Sequence, residues 1–286
     1  MYFCWMNLSE FEKFFVQSLS PLYDEQEAKA LFRYYLTEKY HFSSSDFLLP
    51  TEHIFRLDEV ENEVIALAQG KPIQHLLGFA YFMDWKFSVN EFTLIPRPET
   101  EELVEWIAQD LHKRTDELRL LDIGTGSGCI PISLKHLLPK AQISAIDFSA
   151  QAIEMAKKNA EDNKVEVDFF VHDVFEKFPT EKKYDVLVSN PPYVRNCEKE
   201  AMHQNVLNFE PETALFVDDN DPLVFYRRIK EVAKEILTEE GGVYLEINQY
   251  LGEEMVELYS VDFKSVELKK DLSGNYRMLK ASTKIK

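Results

Sequence analysis

The chain of 286 residues is poor in cysteine. Cys4, Cys129 and Cys197 are far apart and odd in number, which fits neither a disulfide framework nor a zinc-ligand spacing. That excludes a small disulfide-stapled secreted fold and points to a reducing cytoplasm. No apolar run approaches the roughly 18 residues of a membrane span, so no membrane association is expected. The opening Met-Tyr-Phe-Cys-Trp-Met is apolar but short, and no Lys or Arg precedes it. It lacks the pattern of a secretory signal, and Met6 offers a second candidate start. Positive charge is also scarce: 32 Lys and Arg face 50 Asp and Glu, a formal net charge of −18. Such a field repels phosphate backbones, and no Lys/Arg-rich recognition segment offsets it, so direct nucleic-acid binding is not expected. The seven histidines are scattered, with no HExxH, no Ser-His-Asp order and no cluster that would hold a metal. Repeats and low-complexity tracts are absent.

What is present is an ordinary globular composition, long enough for one large domain or two unequal ones. Residues 1–75 read as helices. Ser9-Glu10-Phe11-Glu12 and Asp24-Glu25-Gln26-Glu27 both have capping-box spacing. The second opens a run with Ala28, Leu31, Phe32, Tyr35 and Leu36 on one face. Asp58-Glu59-Val60-Glu61 starts a further helix with Val60, Val64, Ile65 and Leu67 apolar, and Gly70 and Pro72 end it. No strand is expected in this helical domain. Residues 76–97 change character: aromatic and β-branched residues interrupted at Met83-Asp84 and Asn90-Glu91 predict a β-hairpin linker.

Residues 98–286 form the third part. Strands are predicted at 118–123, 142–147, 166–171 and 184–189, with helices at 129–138 and 149–162 between them. A loop of about 30 residues, 191–220, precedes a helix (221–238), a strand (241–247), a helix (250–260) and two strands (262–269 and 275–282). Strand-helix alternation predicts an α/β fold, a parallel sheet covered on both faces, with an antiparallel hairpin at one edge.

Leu-Leu-Asp-Ile before Gly124, Thr125, Gly126, Ser127 and Gly128 is a strand running into a glycine-rich turn. Glycines there allow tight geometry and close approach of a ligand. Asp147 ends the next strand, about 20 residues on, where a carboxylate can accept both ribose hydroxyls. The G-x-G-x-G spacing lacks the third glycine position of the dinucleotide fingerprint. Asp173, beside Val174 and Phe175, either accepts from an adenine amino group or caps a helix. At 187–193, Leu-Val-Ser-Asn-Pro-Pro-Tyr stops a buried strand against two prolines, which cannot continue a central strand. The stretch is either a stiff turn or a holder for one amide, Asn190, and one ring, Tyr193.

Together these motifs resemble class I S-adenosylmethionine-dependent methyltransferases that act on planar amino or amide nitrogens. The ordered stretches "PIQHLLG", "LIPRPETEELV", "LDIGTGSGC", "AIDFS", "LVSNPPYV", "NFEPETAL" and "DLSGNYRMLKA" are similar, over nearly the whole chain, to the HemK/PrmC family. These are protein-(glutamine N5) methyltransferases acting on class 1 peptide-chain release factors. The resemblance implies a Rossmann-like, seven-stranded, mostly parallel sheet, a small helical N-terminal domain that recognises the protein substrate, and a joining β-hairpin. It implies that Gly124 to Gly128, Asp147, Asp173, Val174 and Asn190 hold S-adenosylmethionine, and later S-adenosylhomocysteine. It implies that Asn190, Pro191, Pro192 and Tyr193 hold the glutamine of a Gly-Gly-Gln tip. Arg97 and Glu99 brace the site on this reading; as bare residues they fit a surface ion-pair cluster equally well. The chain departs from the family in its hairpin (Met83-Asp84-Trp85) and at Val217-Asp218-Asp219-Asn220, where the family carries glycine.

An amide nitrogen is a poor nucleophile because its lone pair is delocalised into the carbonyl. Two acceptors aimed at its N–H groups, the Asn190 side-chain oxygen and the Pro191 carbonyl, would stabilise developing positive charge, worth roughly 3–4 kcal/mol per group. Alignment supplies on the order of 7–11 kcal/mol more. Tyr193 is expected to act through its ring rather than its hydroxyl. Glu210-Pro211 is expected to shape a lid. Two other enzyme classes fit the Asn-Pro-Pro-Tyr stretch: a glutamine methyltransferase acting on a ribosomal protein, and an adenine N6-methyltransferase gripping a flipped base. A scaffold that binds cofactor without catalysis would keep the glycines but has no use for Asn190.

Overall fold

The computed structural model describes residues 5–48, 53–114, 117–178, 182–202 and 204–283; Cys4 and the Met1 start lie outside them. The chain divides into two compact units, one of residues to Gly78 together with the short helix Gln204–Phe209, the other of the remainder.

In the first unit the elements are β1 (Trp5–Asn7), α1 (Leu8–Leu19), α2 (Glu25–Tyr40), α3 (Ser44–Leu48), β2 (Ile54–Arg56), α4 (Leu57–Ala68) and α5 (Ile73–Leu77). The Asp24/Glu27 capping box forms as its spacing predicts. The first box sits two residues earlier, on Asn7, because Asn7 and Glu10 satisfy each other's backbone amides. Contrary to expectation the unit holds strands: β1 and β2 pair antiparallel, Trp5 opposite Arg56. Each is three residues long, too short for a period-2 pattern to stand out. Phe11, Phe15, Phe32 and Tyr35 fill the core, with Phe11 and Phe32 edge to face at 5.3 Å.

The second unit opens with the hairpin β3 (Phe79–Phe82) and β4 (Trp85–Ser88), turning at Met83-Asp84. Met83 takes φ of +52°, in a position where such loops favour glycine. Next come α6 (Pro98–Leu111), β5 (Arg119–Ile123), α7 (Cys129–Leu137), β6 (Gln142–Asp147), α8 (Ala150–Asp162), β7 (Asp168–Val171) and β8 (Tyr184–Ser189). The segment predicted as a 30-residue loop contains β9 (Val194–Arg195), a 3₁₀ turn, α9 (Gln204–Phe209), α10 (Glu212–Leu215) and β10 (Phe216–Val217). These elements are too short to carry a periodic signal, which is why the pattern read as loop. Last are α11 (Val224–Ile236), β11 (Leu237–Glu246), α12 (Gly252–Ser260), β12 (Ser265–Lys270) and β13 (Tyr276–Ser282).

Seven strands form one sheet in the order β12-β13-β11-β8-β5-β6-β7. The five on the β7 side run parallel, and β13 is antiparallel to both of its neighbours. Successive side chains point to opposite faces. Leu120, Val186 and Val188 therefore pack under α6, α7 and α8, while Leu121, Leu187 and Leu245 pack under α11 and α12. The strand order reverses at β5, since β6 lies on one side of it and β8 on the other. In open parallel sheets the crevice beyond the strand ends at such a reversal is the ligand site. No described helix is long and apolar enough to cross a membrane.

Candidate active site

Sheet register gathers the predicted residues at one edge. Ile123 lies abreast of Ser189 and of Ile146, and Asp147 lies abreast of Val171. Hence Gly124, Asp147, Asp173 and Asn190, which follow or end these strands, border one cavity of about 790 Å³. That lies within the 300–1,000 Å³ usual for small-ligand clefts.

The three glycines do different work. Gly124 and Gly126 have φ of +76° and +54°, and a Cβ on either would meet open space. Their lack of a side chain serves backbone geometry and access. Gly128, at +82°, begins α7, and a Cβ there would sit 3.1 Å from Ala156 Cβ and from Ile132 Cδ1. It lets α8 approach α7. Thr125 and Ser127 line the cavity with Gly124 and Gly126, whereas Gly128 does not border it. Asp147 accepts the Gly126 amide on Oδ2 and the Ser149 amide on Oδ1, both at 2.9 Å. Burial raises its carboxyl above the usual range, and these amides oppose the rise. Each oxygen keeps a lone pair for a ligand hydroxyl.

Asp173 borders the cavity, and the alternative of a helix cap is not what forms: its Oδ1 accepts the Phe175 amide at 2.9 Å in a turn, and the described residues 174–178 hold no helix. Val174 is buried in the wall, while Phe148 and Phe175 are exposed and border the same space. Phe148 was not singled out from sequence; its signal was an aromatic ring directly after the acidic strand end. A second missed residue is Asp122, fully buried, with neither carboxylate oxygen hydrogen-bonded among the described residues. Burial pushes it up to about 7, with the Thr125 hydroxyl opposing and Asp147 adding to the rise. It sits behind the glycine turn rather than in the cavity wall.

At the other end of the cavity, Asn190, Pro191 and Pro192 form the wall. Asn190 Nδ2 donates to Thr100 Oγ1 at 3.1 Å, and Thr100 Oγ1 donates to Glu246 Oε2 at 2.6 Å. The Asn190 oxygen thereby remains for the cavity. Tyr193 stands elsewhere than expected. It does not border the cavity; its ring packs with the α11/α12 side of the core, and its hydroxyl donates to Glu246 Oε1 at 2.8 Å. Burial, and then the Glu246 charge, push the Tyr193 phenol well up. Two prolines turn the chain so that the side chain at 193 faces back into the sheet rather than outward.

Arg97 borders the cavity and pairs with Glu210, which is buried and also accepts the Ile95 amide at 3.1 Å. Glu210 therefore clamps the segment beginning at Pro211 to the stretch before α6, while Pro211, Thr213 and Ala214 line the cavity. Glu99 does not border the cavity; its neighbour Thr100 holds the site. Cys129 borders the cavity but is buried, which pushes its thiol up to about 12 and leaves it unreactive. No group of side chains fit to hold a metal occurs among the described residues.

A glycine turn, a carboxylate at the next strand end and a stiff Asn-Pro-Pro wall at the reversal of a parallel sheet define a methyltransferase of the Rossmann-like class. A family model described as methyltransferase small domain matches residues 100–213. A methyltransferase structure from Pyrococcus furiosus shares the fold, with a TM-score of 0.51 at 17% identity, covering 79% of this chain and 100% of that one. The release factor glutamine methyltransferase of Flavobacterium psychrophilum is 46% identical, covering 97% of this chain and 99% of its own. That of Bacteroides thetaiotaomicron is 42% identical over 93% of this chain and 96% of its own. The chain belongs to the release factor glutamine methyltransferase family.

Proposed function

We infer that this enzyme transfers a methyl group from S-adenosylmethionine to the side-chain amide nitrogen of the glutamine in the Gly-Gly-Gln motif of class 1 peptide-chain release factors. The observation that carries the reading is the orientation of Asn190: its NH₂ is committed to Thr100, so an acceptor faces the cavity beside the glycine turn.

The residues present fit the cofactor. Space over Gly124 and Gly126 admits its backbone-contacting part, Asp147 retains lone pairs for the ribose, and Phe148, Val174 and Asp173 suit an adenine ring and its amino group. A cationic ligand in the cavity would favour the ionised form of the buried Asp122 carboxyl behind the glycine turn. When bound, the cofactor brings an activated methyl on a charged sulfonium. The protein must then orient the amide and stabilise charge growing on its nitrogen. Asn190 Oδ1 and the Pro191 carbonyl accept from the target NH₂, favouring a more pyramidal nitrogen, and Pro192 stiffens the wall. Preorganised acceptors of this kind are worth most in the transition state. The reading assigns no general base: the target nitrogen gives up its proton to solvent water only once it has been alkylated.

All of these residues lie in the second unit, which supports a recognition role for the first unit toward the body of the release factor. The net charge of −18 supports a protein rather than a nucleic-acid target. A cytoplasmic setting accords with the free, unpaired Cys129 and Cys197. The test is incubation with labelled S-adenosylmethionine and purified release factor carrying Gln or Ala at the motif. Label should enter only the Gln form; equal label in both would overturn the assignment.

A further inference from the structure

We propose that Thr100 and Glu246 are positioning residues: the buried carboxylate fixes the polarity of a hydrogen-bond chain that ends on Asn190 and so decides which end of that amide meets the target. The proposal rests on the reading that Asn190 accepts from the target glutamine.

Register supplies the juxtaposition. Leu245 of β11 pairs with Ser189 of β8, so the next residues, Glu246 and Asn190, stand side by side at the strand ends. Thr100 comes from the first turn of α6 and lies between them. Glu246 is 1% exposed, and its two oxygens are each engaged, Oε1 by Tyr193 and Oε2 by Thr100. Burial raises the Glu246 carboxyl, while the Thr100 and Tyr193 hydroxyls and the Arg277 charge oppose the rise and favour its ionised form; a carboxylate offers acceptors only. The one hydroxyl proton of Thr100 is therefore spent on Glu246, and Thr100 has only lone pairs left for Asn190. Asn190 must answer with its NH₂. Were the proton of Thr100 free to point the other way, Asn190 could turn its oxygen to Thr100 and its NH₂ to the cavity. There it would confront the NH₂ of a glutamine, donor against donor.

A bland alternative is that Thr100 merely ties the start of α6 to the end of β11. The two differ in what happens when Asn190 is already gone. The experiment is a cycle of Thr100→Val, Asn190→Ala and the double variant in single-turnover methylation of release factor, with cofactor affinity measured by calorimetry. Valine matches threonine in shape but can neither donate nor accept. Thr100→Val should slow methyl transfer about 10–100-fold, Thr100→Ser should restore it to within about threefold, and cofactor affinity should stay within about twofold. In the Asn190→Ala background Thr100→Val should cost less than about twofold, because it acts through a side chain no longer present. A second readout follows polarity directly. Release factor with Glu at the target position should inhibit Thr100→Val more tightly than the parent, by about threefold or more, since an inverted Asn190 offers a donor to a carboxylate. If Thr100→Val does not fold, Thr100→Ala carries the same cycle. Multiplicative losses, or parental turnover in the Thr100 variant, would overturn the positioning role while leaving Asn190 in place. Near-parental turnover in Asn190→Ala alone would overturn the acceptor reading, and this proposal with it.

Discussion

The amide of Gly126 donates to Asp147 Oδ2 at 2.9 Å, so the carboxylate that would hold a ribose also holds the turn that would hold the rest of the cofactor. The two functions cannot be separated by one mutation. Asp147→Ala should weaken cofactor binding by about 10–100-fold, from the lost acceptors and from the loosened Gly126. Asp147→Asn keeps one acceptor oxygen and should lose less. Calorimetry checks both, and equal affinities across the three proteins would contradict the double role.

Tyr193→Phe is expected to do more than its ring alone would suggest. Removing the hydroxyl leaves Glu246 Oε1 buried without its 2.8 Å donor. An unsatisfied buried acceptor costs about 1–3 kcal/mol, more when charged. The variant should melt several degrees lower and transfer methyl more slowly, with cofactor affinity unchanged. Thermal unfolding and single-turnover rates of the purified variant give the answer.

The parallel strands and the glycine turn were legible because their signals are local: a β-branched run, a tight turn, an acid at the next strand end. Five of the cavity residues, Gly124, Gly126, Asp147, Asp173 and Asn190, carry such signals. Thr100 and Glu246 do not. They are far apart in sequence and become neighbours only through the register of β8 with β11. Tyr193 misled because the motif gives its identity but not its direction, which two prolines set. The 191–220 segment looked structureless because its elements are short and Glu210 anchors it to a distant amide, that of Ile95.

Asp122 gives a pH signature. Its carboxyl is pushed up to about 7 in the folded protein by burial, above the unfolded value near 4. A raised acid favours folding while protonated: its contribution is full below about pH 4 and is lost as pH rises to about 7. Above that the cost of a buried charge is borne in full. Asp122→Asn stays neutral, so the cofactor-free variant should match the parent near pH 4 and melt at least a few degrees higher near pH 8. Identical melting curves at both pH values would mean the carboxylate has found a partner.

Asn190→Asp discriminates the two duties of that side chain. The introduced carboxylate keeps an oxygen for the target but cannot donate to Thr100, whose own proton is held by Glu246 Oε2 at 2.6 Å. Near pH 8 an anionic oxygen would face the Thr100 lone pairs beside a second buried carboxylate, and methyl transfer should fall as far as in Asn190→Ala, about 10²–10³-fold. On protonation the acid regains a donor for Thr100 and leaves its carbonyl oxygen toward the cavity, the arrangement of the parent amide. The rate of Asn190→Asp relative to the parent should therefore climb as pH falls from about 8 to about 6, while that of Asn190→Ala stays level. Single-turnover rates at matched pH decide it. A ratio that stays near one at every pH would show that the NH₂ of Asn190 is dispensable, and that acceptance alone is what the site asks of it.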